Sequence, residues 1–370
     1  MKRIVQTIIT LLLTIEPLMA EEFERQDDAT DSLHSERRIG LIRRIIRGFD
    51  KVDERYIEPQ HYVFTVMLQS TYTYEFFNIN GKGANSQAFS LAPDGSAKIG
   101  PYFGWRWIFG GYTFNLTQSS FSKKKTEFNL SIYSSQIGVD LFYRRTGSDY
   151  KLRDVKLGKN IDASPLEGVL FDGVKAGVTG INLYYIFNHG RFSYPAAFAQ
   201  STCQKISCGS WMAGVGYTHN TLDFEYEKMQ TLANERLAPQ VVKLDSALMF
   251  KSILYNDFSI SGGYGYNWVF AKNWVAAASA QLAFGYKRNV GNRDDSEKLS
   301  FSKISPNMIG RFGVIYNNMR WYAGMNAIIY SNTYRKADFS TTNTFGNMYL
   351  YVGYNFGLKK KYRERKNISE

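Results

Sequence analysis

From Phe258 to Tyr286 the chain alternates in character, interrupted only once. Phe258, Ile260, Gly262, Tyr264, Tyr266 and Trp268 share one parity, and Ser259, Ser261, Gly263, Gly265 and Asn267 the other. After Ala271-Lys272-Asn273 the pattern resumes, with Trp274, Ala276, Ala278, Ala280, Leu282, Phe284 and Tyr286 against Val275, Ala277, Ser279, Gln281, Ala283 and Gly285. A period of two sustained this far predicts two long antiparallel strands joined by a tight turn. Each exceeds the about five or six residues usual in soluble sheets, and aromatics bound the apolar parity at both ends. A strand that crosses a bilayer has this character, with roughly 10 residues in hydrocarbon and Trp, Tyr or Phe at the headgroup levels.

The first residues agree with export. Lys2 and Arg3 precede an apolar run from Ile4 to Ile15, and Pro17-Leu18-Met19-Ala20 closes it. Residues 1–20 therefore read as a secretory signal peptide cut after Ala20. Beyond it no run approaches the roughly 20 apolar residues that a membrane helix needs. In lipid an unpaired backbone polar group costs several kcal/mol, so a sheet can span only by closing on itself. Aromatics at 16%, with 31 Gly and only 8 Pro, favour strands whose turns are made by Gly, Asn and Asp.

These observations predict an all-β fold, a single closed antiparallel up-and-down transmembrane β-barrel of about 12 strands. It occupies residues 58–358 of the outer membrane, behind a short periplasmic segment at 21–57 and ahead of a basic periplasmic tail at 359–370. Within the leading segment Ile39, Ile42, Ile45, Ile46 and Phe49 recur at helical spacing; either an amphipathic helix or a docked linker fits. The formal charge of +12 is unevenly placed: residues 21–34 are acidic, 36–55 carry seven Arg or Lys against four Asp or Glu, and 359–370 carry six against two. Export removes nucleic acid as a partner, which leaves membrane lipid and a small solute.

Closure requires the first strand, about 61–76, to pair with the last, about 343–357. Connections near 105, 135, 271 and 318 are short and lie on the side of the termini, while those at 147–173, 220–256 and 288–303 are long loops on the other side. A bulge near Gly180 is expected, because Val174 and Val178 oppose Ile181, Leu183 and Tyr185 in parity. The stretch 188–205 is too long for a periplasmic turn, and is expected to plug the lumen or seal its mouth.

Lys98, Asp140, Arg144, Gln281, Arg311, Arg320, Asn326, Tyr349 and Tyr351 are the lumen-facing candidates. A Lys or Arg on the lipid face at the midplane costs about 2 to 4 kcal/mol, which turns the charged ones inward. They either line a porin-like pore or fill a narrow barrel as an ion-pair and tyrosine network, since about 12 strands lies between filled and open barrels; the role expected is passage or binding of a small solute, or an envelope scaffold, rather than catalysis. The four His are His34, His61, His189 and His219, without HExxH or a Cys/His cluster; no metal, cofactor or catalytic residue is expected. Cys203 and Cys208, in an oxidising compartment, predict a disulfide.

Four blocks are distinctive together: Tyr56-Ile57-Glu58-Pro59, Gly100-Pro101-Tyr102-Phe103-Gly104-Trp105-Arg106-Trp107, Asp140-Leu141-Phe142-Tyr143-Arg144 and Phe192-Ser193-Tyr194-Pro195-Ala196-Ala197-Phe198. They resemble an uncharacterised family of Bacteroidetes cell-surface proteins, numbered 4421 among the domains of unknown function. The resemblance runs from about residue 50 to the end and implies an outer-membrane-type barrel, with no reaction or substrate attached. One enzymatic alternative remains. His219, on the outward parity of Tyr217, with Thr221 two residues on, resembles the His and Ser, two apart, of outer-membrane phospholipase A, where an Asn orients the His. That resemblance implies a lipid hydrolase at the outer rim; here Thr replaces Ser and the sequence identifies no orienting Asn.

Overall fold

The structure is a computed structural model and describes residues 52–363, apart from 84–85, 106–107, 117–125, 147–148, 159, 241, 250–251, 290–303 and 337. The leader, the segment at 36–49, nearly all of the 288–303 connection and the end of the tail lie outside the described residues. The chain opens with β1 (Ile57–Pro59), β2 (Tyr62–Gly81), β3 (Ala88–Ala92), β4 (Ser96–Trp105), β5 (Ile108–Gly111), β6 (Phe114–Asn115), β7 (Thr126–Tyr133), β8 (Ile137–Arg145) and β9 (Lys151–Lys156). It continues with β10 (Val174–Ile186), α1 (Tyr194–Phe198), β11 (Thr202–Gln204), β12 (Cys208–Phe224) and α2 (Tyr226–Leu237). It ends with β13 (Ser252–Ala271), β14 (Trp274–Asn289), β15 (Ile304–Asn317), β16 (Trp321–Arg335) and β17 (Phe339–Leu358). No helix among the described residues is long and apolar enough to cross a membrane.

One antiparallel sheet dominates, in the order β5-β4-β2-β17-β16-β15-β14-β13-β12-β10-β8-β7. The hairpin that the alternation predicts is present: β13 and β14 pair from Tyr255↔Asn289 to Ala271↔Trp274. Phe258, Ile260, Tyr264, Tyr266 and Trp268 are exposed, while Asp257, Asn267, Ser279 and Gln281 are buried on the other face. The expected meeting of the first and last strands also forms, with β17 and β2 paired from Phe339↔Gly81 to Leu358↔Tyr62. The sheet is rolled. β8 and β17 stand at distant places in the order, yet the rings of Phe142 and Phe345 are 5.8 Å apart across the interior.

Aromatics fill the surface that glycines vacate. A Cβ on Gly138 would lie 2.1 Å from Tyr184 Cζ, and one on Gly180 2.4 Å from Phe142 Cζ; each ring covers the glycine of its cross-strand partner.

Four expectations need correction. The main sheet has 15 strands, not 12, with β1 and β11 forming a second small sheet; β3 and β9 come from supposed loops, and one wall strand is split into β5 and β6. Closure is incomplete among the described residues, where no ladder joins β5 or β6 to β7, although Lys98 of β4 reaches Glu127 of β7 at 2.7 Å. The bulge at Gly180 is absent, since the register of β10 runs unbroken against both neighbours. Val174, Ala176 and Val178 face inward because apolar partners, not lipid, cover them.

Those partners are the fourth correction. The described parts of the excursions at 82–95, 146–173 and 225–251 are not open loops; they fold together as a cap over the end remote from Val52 and Arg363. Phe77, Phe89, Leu91, Leu152, Val155, Phe171, Phe224 and Leu248 share its buried core. Met229, Ala233 and Leu237 put one face of α2 into it, as a spacing of four dictates. Gln87, fully buried, ties the three excursions: its Nε2 donates to the carbonyls of Leu157 (3.2 Å) and Lys243 (3.1 Å), and its Oε1 accepts from Asp245 N (2.7 Å).

Candidate functional site

Three charged clusters occupy the interior. In the first, Arg311 of β15 pairs with Asp140 of β8, both 1% exposed. Ser131 Oγ donates to Asp140 at 2.7 Å, Arg311 donates to Tyr194 Oη at 3.2 Å, and the guanidinium lies 5.3 Å from the Tyr184 ring centroid. In the second, Arg144 approaches Glu75 at 4.0 Å and Glu127 at 3.8 Å, donates to the Tyr74 carbonyl at 3.2 Å, and shares Glu127 with Lys98. In the third, toward the cap, Lys287 pairs with Asp257, which also accepts from Asn307 Nδ2 at 2.7 Å.

Lys98, Arg144, Lys287 and Arg311 are thus matched one for one by Glu75, Glu127, Asp140 and Asp257. An isolated buried ion costs several kcal/mol, and only a partner of opposite sign with its hydrogen bonds offsets that. Among the described residues the sets cancel, so these clusters offer no surplus of either sign to select a solute.

The stretch 188–205 enters the near end of the roll, as expected of a plug. Ser193 caps α1 by accepting from Ala196 N at 3.1 Å, with Pro195 in the first turn. Tyr194 Oη meets Ser279 Oγ of β14 at 2.8 Å, and Asn267 Nδ2 of β13 donates to the Ser193 carbonyl at 2.8 Å. Gln200 Nε2 donates to Tyr351 Oη of β17 at 2.7 Å. β11 then pairs with β1, Glu58 opposite Cys203. Side chains of the wall therefore hold the plug directionally.

Of the sequence candidates, Lys98, Asp140, Arg144, Gln281, Arg311, Asn326, Tyr349 and Tyr351 face inward. With its amide turned to satisfy both ends, Asn326 donates to the Ala197 carbonyl of the plug (3.2 Å) and accepts from Tyr351 Oη (3.3 Å). Arg320 does not face inward. It sits exposed on the turn before β16 and donates to Tyr354 Oη at 2.7 Å on the outer face, because the turn resets the parity before Trp321. The disulfide is not formed either; both cysteines are unbridged. Pairing with β1 aims Cys203 at the Asn317 carbonyl (3.1 Å), while Cys208 accepts from Asn188 Nδ2 (3.2 Å). Burial pushes the Cys203 thiol up to about 12.

On the outer face the structure supplies a residue the sequence reading missed. Asn256 of β13 lies directly opposite His219 of β12, and its Oδ1 accepts from His219 Nδ1 at 2.8 Å and from Tyr217 Oη at 3.0 Å. An amide oxygen can only accept, so Nδ1 is the donor in this pair and Nε2 is the ring nitrogen left without that partner. Counting the register outward from Tyr217↔Phe258 would have found it. Thr221 follows on the same face of β12. Among the described residues no group of three or more His, Cys, Asp or Glu could hold a metal ion.

A family model described as a domain of unknown function, DUF4421, matches residues 51–356. No curated protein matches the sequence. Solved structures similar in outline include the outer membrane protease OmpT from Escherichia coli, at 8% identity and TM-score 0.31, covering 80% of this chain and 97% of that one. The translocator domain of autotransporter NalP from Neisseria meningitidis follows at 9% identity and TM-score 0.27, covering 87% and 96%. The toluene transporter TodX of Pseudomonas putida stands at 10% identity and TM-score 0.25, covering 80% and 91%.

Proposed function

The chain belongs to the DUF4421 family, which brings no reaction with it, and we propose that it is an outer-membrane β-barrel that carries no solute and serves as an envelope scaffold. Both termini face the periplasm, the folded cap faces outward, and β5–β6 close on β7. Two girdles support the membrane placement. Trp211, Tyr264, Trp268, Trp274 and Trp321 are exposed or half-exposed near one end of the wall, and Tyr72, Phe76, Phe258 and Phe284 near the other. Phe258 and Trp268 are separated by roughly 33 Å of strand at about 3.3 Å per residue, or about 25 Å of height once tilted, which is the apolar band of such barrels.

The observation that carries the scaffold reading over the pore reading is the matched set of buried charges with the plug hydrogen-bonded among them. Current recorded from planar bilayers containing the purified chain tests it. Silence at all voltages is expected, and reproducible unitary steps would overturn the reading.

Asn256 favours a second reading, lipid hydrolysis at the outer rim. Nε2 of His219 would take the Thr221 proton as the hydroxyl attacks an ester carbonyl, the alcohol would leave, and water would release the acyl group. Fatty acid release from phospholipid vesicles, lost in His219→Ala and cut in Asn256→Ala, is expected of such a site. Activity that is absent, or equal in wild type and His219→Ala, ends it.

A further inference from the structure

Between the plug and the β13–β14 turn lies a pocket of about 420 Å³ that neither reading uses. Ligand sites run from about 300 to 1,000 Å³ and are mostly apolar with a few placed polar groups. Ala196, Val269, Val275 and Ile315 form its inner wall, continuous with the buried cluster of Ala197 and Ala277. Lys205 and Lys272 line it as well. Both are exposed, Lys272 on the turn and Lys205 paired with Glu58 at 2.9 Å.

Two of the polar side chains in the wall, those of Asn317 and Gln204, are already occupied. Asn317 Nδ2 donates to the carbonyls of Gln200 and Thr202, both at 3.3 Å. The Gln204 amide serves the carbonyls of Arg191 and Ile206 and accepts from Ser193 N. None of the unsatisfied buried polar side-chain atoms among the described residues belongs to the pocket. With Asn317 and Gln204 committed, a sugar would leave most of its hydroxyls unmatched, and their desolvation would go uncompensated. An aliphatic tail with one negative head has what it needs.

We propose that this pocket binds a single-chain anionic amphiphile, a medium-chain carboxylate, with its tail against Val275 and Ile315 and its head between Lys205 and Lys272. The site rests on the end structure alone, not on whether the barrel conducts. Trp268, Phe270 and Trp274 at the same end of the wall put the mouth at the level where headgroups meet acyl chains.

Calorimetric titration of decanoate into the full chain, held in phosphatidylcholine nanodiscs, tests the assignment. Saturable binding at one site is expected, with decylamine and butanoate at least about tenfold weaker, since each lacks one of the two features. Lys272→Glu, on an exposed turn where folding is not at risk, should weaken decanoate about fivefold. Ile315→Trp and, at its cross-strand neighbour, Val275→Phe should abolish binding by filling the space. Equal affinity for decylamine, or decanoate uptake unchanged in Lys272→Glu, would overturn the proposal as mere partition into the disc.

Discussion

The two ends of the roll are closed by different physics. At the end remote from the termini, three excursions far apart in sequence bury Phe89, Leu152, Phe224 and Leu248 against one another. Their cohesion is non-directional and scales with apolar area. At the near end a single stretch is held by named hydrogen bonds between Asn267, Ser279, Arg311 and Tyr351 and the backbone or side chains of the plug. An apolar cap tolerates drift in geometry, whereas a polar plug depends on each partner being in place.

Arg311→Ala should break this contrast most severely. It leaves Asp140 buried without its partner, and removing one member of such a pair costs about 3–5 kcal/mol. Urea titration of the vesicle-embedded chain would read the loss, and Arg311→Met with Asp140→Leu should restore most of it. Leu152→Ala in the cap should cost about 3 kcal/mol through an unfilled cavity. Hydrogen exchange should place that damage in β3, β9 and α2 and spare the plug; faster exchange at 193–204 would contradict the independence of the two ends. Tyr194→Phe should cost about 1–3 kcal/mol, because it strips a buried hydroxyl from Ser279 and Arg311, with exchange rising only at α1 and β11.

The smallest effect is expected at Asp94 on the cap surface, 2.6 Å from Lys151 and 2.8 Å from Arg153. Its hydrogen bond to Lys151, and then Arg153, holds the carboxyl below the ordinary value. A depressed carboxylate stabilises above its unfolded pKa of about 4 and loses that contribution as pH falls through the folded value. Half exposed, the cluster is worth about 1 kcal/mol or less. Asp94→Asn should therefore narrow the difference in cap exchange between pH 7 and pH 3 and leave the plug unchanged.

The wall was legible because its code is local. Each outward residue from Phe258 to Trp268 announces its neighbour's facing, and the β2–β17 meeting follows from alternation plus the need to satisfy edges. The cap was not legible, because Phe89, Leu91, Leu152 and Val155 sit in short runs between charges and find their partners only across long gaps in sequence. The same blindness made Val174 and Val178 look out of phase, since inward apolar residues near the cap break the rule that polar means interior. Arg320 was misplaced by carrying parity through a turn. The interior ion pairs were half visible: the sequence put Asp140 and Arg311 on the inner face but could not bring β8 and β15 opposite each other. Asn256 was hidden inside a supposed loop that is in fact the start of β13.

The seam between β2 and β17 brings the first and last strands of the wall side by side. Lys359 N donates to the His61 carbonyl at 2.9 Å, so the polypeptide enters and leaves the wall side by side. A short tether across that point, with new ends cut at 336–338, would give a permuted chain with every rung intact. Such a permutant would also reverse the order of events during insertion: the strands that now meet last would emerge as a ready-made hairpin, and the join left to the end would fall between β16 and β17.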